Sequence, residues 1–136
     1  MERVVIDKSN KREPPPPLTG YKRLLSAAKC SWIGIRAAYA SEEAIRQEMF
    51  LLLIGTPLGL WLGQTTIEKI ILVGSLFMIL IVELLNTAVE TTIDRISYEI
   101  HELSGKAKDI GSAAVMVSII LTLFVWGIIL YERFWG

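Results

Sequence analysis

IEKIILVGSLFMILIVELLNTAVETTI, Ile67 to Ile93, is the stretch that decides how this chain must fold. It opens as a nearly unbroken apolar run and then admits Glu83, Asn86 and Glu90, with Asp94 just beyond. The four are spaced i, i+3, i+7 and i+11, so on a helix they share one face. An acid set at membrane depth costs about 3 kcal/mol even on permissive insertion scales. Something must offset that cost. Pairing with cations on other helices, or hydrogen bonds within an oligomer, would be the purely structural answer. Three acids and an amide on one line favour chemistry instead.

Two further apolar stretches flank this one, Met49 to Leu62 and Ile110 to Tyr131. A membrane span needs roughly 20 apolar residues to cross a hydrocarbon core of about 30 Å, and the last stretch meets that requirement at once. The first is short and contains Pro57, but only brief polar segments separate the three. They predict helices threading back and forth over residues 44–63, 67–95 and 109–131. The composition agrees: 136 residues make one domain, and 52% hydrophobic content with a mean hydropathy of +0.47 is high for a soluble protein.

Residues 1–18 are polar and end in Pro14 to Pro17, which favours an extended, mobile tail. From Tyr21 onward, Tyr21, Leu24, Leu25, Ala28, Trp32, Ile35 and Tyr39 recur at helical spacing, flanked by Lys22, Arg23, Lys29 and Arg36. Such a basic amphipathic helix, over residues 20–40, is suited to lie in the membrane interface. Ser41 before Glu42 and Glu43 is the expected N-cap of the next helix. The GQTT segment, Gly63 to Thr66, marks the outer turn. In HELSGKAKD, residues 101–109, Ser104 and Gly105 are expected to break the helix, and Asp109 to cap or begin the last span.

Zero net charge hides an asymmetry. Nine of the 14 basic residues precede the first span and three, Arg95, Lys106 and Lys108, sit in the second loop, leaving only Lys69 and Arg133 on the other side. The positive-inside tendency therefore places the N-terminus and the loop from Arg95 to Asp109 in the cytoplasm and the C-terminus outside. No apolar core of a secretory signal precedes residue 49. The single cysteine, Cys30, excludes an internal disulfide and reads as a small packing residue.

The stripe grades from depth to surface. Glu83, the deepest acid, gives up hydration and so becomes the better proton acceptor. Glu90, nearer water, suits Mg²⁺, a hard cation that keeps several waters and needs one or two carboxylates; Glu42 could supply the second. Gly111, Val115, Ser118 and Thr122 form a small-residue stripe on the third span, a packing surface. These arguments reach acid–base or cation chemistry at the cytoplasmic interface and do not name a substrate.

RQE at 46–48, VELLNTAVETTIDRI at 82–96 and HELSGKAKDIGSAAV at 101–115 resemble the prokaryotic diacylglycerol kinase family, small homotrimeric integral-membrane enzymes, and the likeness runs from about Thr19 to the C-terminus. The resemblance implies an all-α trimer, each subunit with a surface helix and three transmembrane helices, that transfers the γ-phosphate of ATP, with Mg²⁺, to diacylglycerol. It assigns Glu83 as general base, with Asn86 positioning the reacting groups, and Glu42 and Glu90 as metal ligands. Arg23, Cys30, Glu42, Glu90, Glu99, Ile100, His101, Lys108 and Asp109 would meet the nucleotide. Cys30 stands where the family commonly has an aromatic residue. Arg23, Ala28, Ser31, Trp32, Arg36, Ala44, Arg46, Gln47, Glu48, Lys69, Glu83, Ser112 and Trp126 would border the lipid. Neither a P-loop nor a protein-kinase HRD or DFG set is present, and phosphoryl transfer by positioned carboxylates and cations requires neither. The rival substrate is undecaprenol. A small proton-linked transporter subunit, or an assembly factor whose stripe serves only oligomerisation, are the readings from other classes.

Overall fold

The computed structural model describes residues 19–96 and 101–136. All regular structure among them is helical: α1 Gly20–Ser41, α2 Glu43–Leu62, α3 Thr66–Ile96 and α4 Glu102–Trp135. The chain divides into two compact units, Met1–Gly34 and Ile35–Gly136. The tail expected over residues 1–18 lies outside the described residues.

In the first unit, Gly20 starts α1 at φ 58°, a left-handed conformation that glycine adopts without Cβ strain. The helix matches the range expected from its apolar periodicity, and Tyr21, Leu24, Leu25 and Trp32 are exposed.

In the second unit, the junction after α1 differs from expectation. Ser41 closes α1, its hydroxyl donating to the Ala38 carbonyl at 3.5 Å, instead of capping α2. Glu42 occupies the cap position in extended conformation without a side-chain cap bond, while its N–H donates to the same Ala38 carbonyl at 2.8 Å. Serine hydroxyls readily bond a carbonyl three or four residues back. Ser41 is thus satisfied within the helix it ends, and a carboxylate is left at the positive end of α2, where the helix dipole favours it.

Within α2, Pro57 removes one backbone donor and leaves the Leu53 carbonyl without its helical partner, yet the helix continues through it. Gly55 and Gly59, four residues apart, face α3. A Cβ added at Gly55 would meet a Leu76 methyl at 2.5 Å, and one at Gly59 would meet Leu72 Cβ at 3.2 Å. This small-xxx-small pair lets the two backbones approach closely.

The expected turn between α2 and α3 forms. Gly63 ends α2 with its N–H on Gly59 O, and α3 opens with a capping arrangement. The Glu68 N–H donates to Thr65 Oγ1 at 3.2 Å, while the Glu68 carboxylate accepts from the Gln64 N–H at 2.8 Å and the Thr65 hydroxyl at 2.9 Å.

The start of α4 also departs from expectation: the helix begins at Glu102 and runs through Ser104 and Gly105, placing Asp109 about two turns inside. His101 caps it, Nδ1 accepting from the Leu103 N–H at 3.2 Å. One helical glycine costs only about 1 kcal/mol, too little to stop a helix whose start is capped and whose body is packed.

α3 packs against both α2 and α4 and is the central element of this unit. Thr122 on α4 shares its hydroxyl proton between the Ser75 and Ser118 carbonyls, each at 3.0 Å, and Trp126 donates to the Leu72 carbonyl at 3.3 Å. The buried core is thin. Ile45 and Leu72 are its largest fully buried side chains, whereas Leu53, Trp61, Leu123 and Phe124 are exposed. So much uncovered apolar surface is suited to lipid or protein, not water. Among the described residues, α3 and α4 are long and apolar enough to cross a membrane. The apolar part of α2 is shorter because Glu43, Arg46 and Glu48 occupy its first two turns.

Helix approach at Gly59 generates a stability test. Gly59→Val should push α2 off Leu72 and cost about 1–3 kcal/mol, read as a lower Tm in detergent. Gly74→Ala, where an added Cβ meets nothing within 4 Å, should leave Tm unchanged or raise it.

Candidate functional site

The polar stripe of α3 runs from buried to exposed along the helix. Glu83 is 7% exposed, Asn86 and Glu90 are half-buried, and Asp94 is exposed. Asn86 Nδ2 donates to Glu90 Oε1 at 3.2 Å, and Asp94 receives the Lys108 ammonium at 2.6 Å. The helix thus carries two polar pairs one turn apart, one internal to α3 and one tying it to α4. Lys108 precedes the apolar run that starts at Ile110, and its hydrogen bond to Asp94 raises its pKa above the ordinary lysine value.

Two helices bring acids together. Glu42 at the start of α2 and Glu90 on α3 both lie within charge–charge range of Glu83, as does Glu48 on the second turn of α2. Glu48 Oε2 and Asn86 Oδ1 are buried oxygens that find no hydrogen-bond partner among the described residues. Four carboxylates gather there, and Lys108, within charge range of Glu90, is already engaged by Asp94. Such an arrangement attracts further cations or protons.

Beside these acids lies an apolar groove of about 650 Å³ lined by α2, α3 and α4. Gln47, Glu48 and Glu83 form its polar end; Leu51, Leu58, Ile119 and Leu123 are among its apolar walls, and Trp126 and Leu130 also line it. The geometry is that of an amphiphile's site, with room for hydrocarbon along the helices and hydrogen-bonding groups at one end. Periodicity alone does not reveal the groove, because its walls come from three helices.

Of the residues expected to border a lipid, Ala44, Gln47, Glu48, Glu83 and Trp126 line this groove. Trp126 is at once a wall and, through its N–H, a tie to α3. Arg46 is turned to another use: its guanidinium donates to the Tyr39 carbonyl at 3.0 Å and to that of Ala40 at 3.5 Å, at the negative end of α1. Lys69 lies 14 residues before Glu83 on one continuous helix, about 21 Å away, and lines a separate groove at the other end. A rigid helix keeps it from the acids. Ser112 is exposed and does not line the groove, and Arg36 is exposed on α1. In the first unit, Arg23, Ala28, Cys30, Ser31 and Trp32 are exposed on α1.

Among residues expected to meet a nucleotide, Lys108 and Asp109 share the first turns of α4 with His101, whose Nδ1 is committed to the cap. Glu99 and Ile100 lie outside the described residues. The pairing of Asp94 with Lys108 escaped the sequence reading; a charge pair 14 residues apart across a turn leaves no periodic signature. No group of three or more His, Cys, Asp or Glu side chains forms a metal cage among the described residues. Magnesium that arrives with phosphates needs only one or two carboxylates. Glu90 and Glu42, with the unpartnered Asn86 Oδ1 close by, are hard oxygen donors of that kind, so the residues fit the ion.

Comparison with known proteins adds the chemistry. A family model described as prokaryotic diacylglycerol kinase matches residues 29–130. The diacylglycerol kinase of Escherichia coli strain K12 is 45% identical over 116 residues, 85% of this chain and 95% of that protein. That of Haemophilus influenzae is 46% identical over 113 residues, 83% and 96% of the two chains. The Pseudomonas aeruginosa enzyme is 41% identical over 112 residues, 82% and 91%.

The Asp94 pair makes a chemical test. Asp94→Ala removes the hydrogen bond that raises the Lys108 pKa, so at pH 8–9 (roughly between neutrality and the ordinary lysine pKa) more of Lys108 is free amine. Its acylation by an amine-directed reagent, followed by mass spectrometry, should rise several-fold; an unchanged rate would mean that the pair does not form.

Proposed function

The chain belongs to the prokaryotic diacylglycerol kinase family, and from that premise we propose that it transfers the γ-phosphoryl group of ATP to the free hydroxyl of membrane diacylglycerol, giving phosphatidic acid and ADP. The observation that carries the reading is Glu83, nearly buried at the polar end of an apolar groove and within charge range of Glu42 and Glu90.

In this reading the acyl chains occupy the groove, and the lipid hydroxyl reaches Glu83. The Glu83 carboxylate takes the hydroxyl proton as the oxygen attacks Pγ; the O–P bond forms, the bond from Pγ to the β-phosphate oxygen breaks, and ADP leaves. Asn86, tied to Glu90, keeps the amide fixed between the base and the metal-binding carboxylate. Glu90 and Glu42 would hold Mg²⁺, which, when bound, neutralises the phosphate oxygens and draws off the charge that builds on the leaving group. Lys108 would exchange its Asp94 partner for a phosphate, a trade open to an ammonium at the exposed end of the site. Asp109, His101, Glu99, Ile100, Arg23 and Cys30 enter the nucleotide site by family resemblance. Gln47 and Glu48 offer hydrogen bonds to the lipid's polar head, with Ala44 and Trp126 as walls.

The protein is a membrane protein with two helices able to span the bilayer. We propose that α2 is a third, shorter span, that α1 lies in the interface, and that the charge asymmetry sets the N-terminus and the acid cluster on the cytoplasmic side of a bacterial inner membrane, where ATP is found. The exposed apolar faces of α2, α3 and α4 support self-association, for which a homotrimer is the family expectation.

Glu83→Gln should abolish lipid phosphorylation, by about 10²-fold or more for loss of a general base, without loss of oligomer or ATP binding. Full activity in that variant would remove Glu83 from the role. Glu90→Gln should raise the Mg²⁺ concentration for half-maximal rate, while a variant with unchanged Mg²⁺ dependence would refute ligation by Glu90. With labelled ATP and each lipid alcohol in turn, label should enter diacylglycerol; label in undecaprenol alone would overturn the substrate, and ATP-independent proton flux in vesicles would favour the transporter.

A further inference from the structure

We propose that Gly111 is a positioning residue: the bare backbone of α4 at this point sets the Asn86 amide against Glu90, and any side chain there would uncouple the two. Gly111 lies against α3, where an added Cβ would overlap Asn86 Oδ1 and stand 3.3 Å from Asn86 Cγ and 3.9 Å from Asn86 Cα. The nearest obstruction is the amide head itself, so a larger residue must turn that head or move the helix.

Two further observations show what such a turn would disturb. Asn86 Nδ2 donates to Glu90 Oε1 at 3.2 Å, so the amide orientation is coupled to the carboxylate. Asn86 Oδ1 is buried and meets no hydrogen-bond donor among the described residues. Burying a carbonyl oxygen without a donor is unfavourable, and such a group calls for a reason, service to a ligand or to the reaction among them. The glycine thus does more than permit close packing: it holds an unsatisfied oxygen and a proposed metal-binding carboxylate in one fixed relation. By contrast, an added Cβ at Gly105 or Gly127 on the same helix meets nothing within 4 Å among the described residues.

This inference rests on the kinase reading for its catalytic consequence and on packing alone for its structural one, and full-length protein in lipid micelles separates the two. Gly111→Ala should lower kcat about ten-fold or more and raise the Mg²⁺ concentration for half-maximal rate several-fold, with KM for the lipid alcohol within about two-fold, because small misplacements of reacting groups act on the chemical step. Gly127→Ala should match the parent protein in all three. Thermal melting supplies the readout independent of catalysis: Gly111→Ala should lower Tm in the parent background and have little effect in an Asn86→Ala background, where the obstructing amide is gone. Equal Tm losses in both backgrounds, or parental kcat and Mg²⁺ dependence in Gly111→Ala, would overturn the proposal. A parent protein that melts as described but phosphorylates no lipid alcohol would refute the kinase reading and, with it, the catalytic role of Gly111, leaving only the packing.

Discussion

Acids on a helix that passes through hydrocarbon must be kept from lipid, and the position of α3 between α2 and α4 answers that demand. Glu83 is the side chain for which the demand is most severe, and it is 7% exposed. The helices covering it are held by devices that work without a hydrophobic effect between them: glycines at 55 and 59 that admit the neighbouring backbone, and the Thr122 and Trp126 bonds to carbonyls of α3. These ties lie toward one end of α3, and the acids occupy the other. The helix therefore has a packed half and a chemical half.

Around Leu72 and Ser75 the helices touch through small groups and backbone carbonyls. Alongside these contacts runs a cavity with hydrocarbon walls, Thr122 and Trp126 among its lining residues, and two carboxylates at its head. A lipid alcohol has the same two-part character. A soluble kinase encloses its substrate in a water-filled cleft, whereas a membrane kinase can take its substrate from the surrounding bilayer and need only bring the hydroxyl to the edge where ATP is dissolved. The excess of carboxylates at that edge suits chemistry in which bound cations accompany the phosphates.

Departures from the sequence reading share a cause. Ser104 and Gly105 were expected to break a helix because their types favour ends, but each such preference amounts to about 1 kcal/mol and is outweighed by capping and packing nearby, while Ser41 ends α1 instead of capping α2. His101, the only histidine, became the cap that Asp109 was expected to be. Arg46 and Lys69 illustrate a different limit. A basic residue in a matching motif has several possible acceptors, and here Arg46 found helix carbonyls while Lys69 stayed at the opposite end of a rigid element.

The sequence by itself determined the helical elements, their apolar character, the alignment of Glu83, Asn86, Glu90 and Asp94 on one face, and the family. All of these follow from local periodicity or from contiguous motifs. Only the tertiary structure decided that Asp94 takes Lys108, that Gly111 abuts Asn86, that Asn86 Oδ1 has no partner among the described residues and that three helices leave a groove ending at Glu83. Each depends on the rotation and separation of helices distant in the chain. A single helix's pattern gives the face that will be buried but not which atoms of a neighbour will meet it.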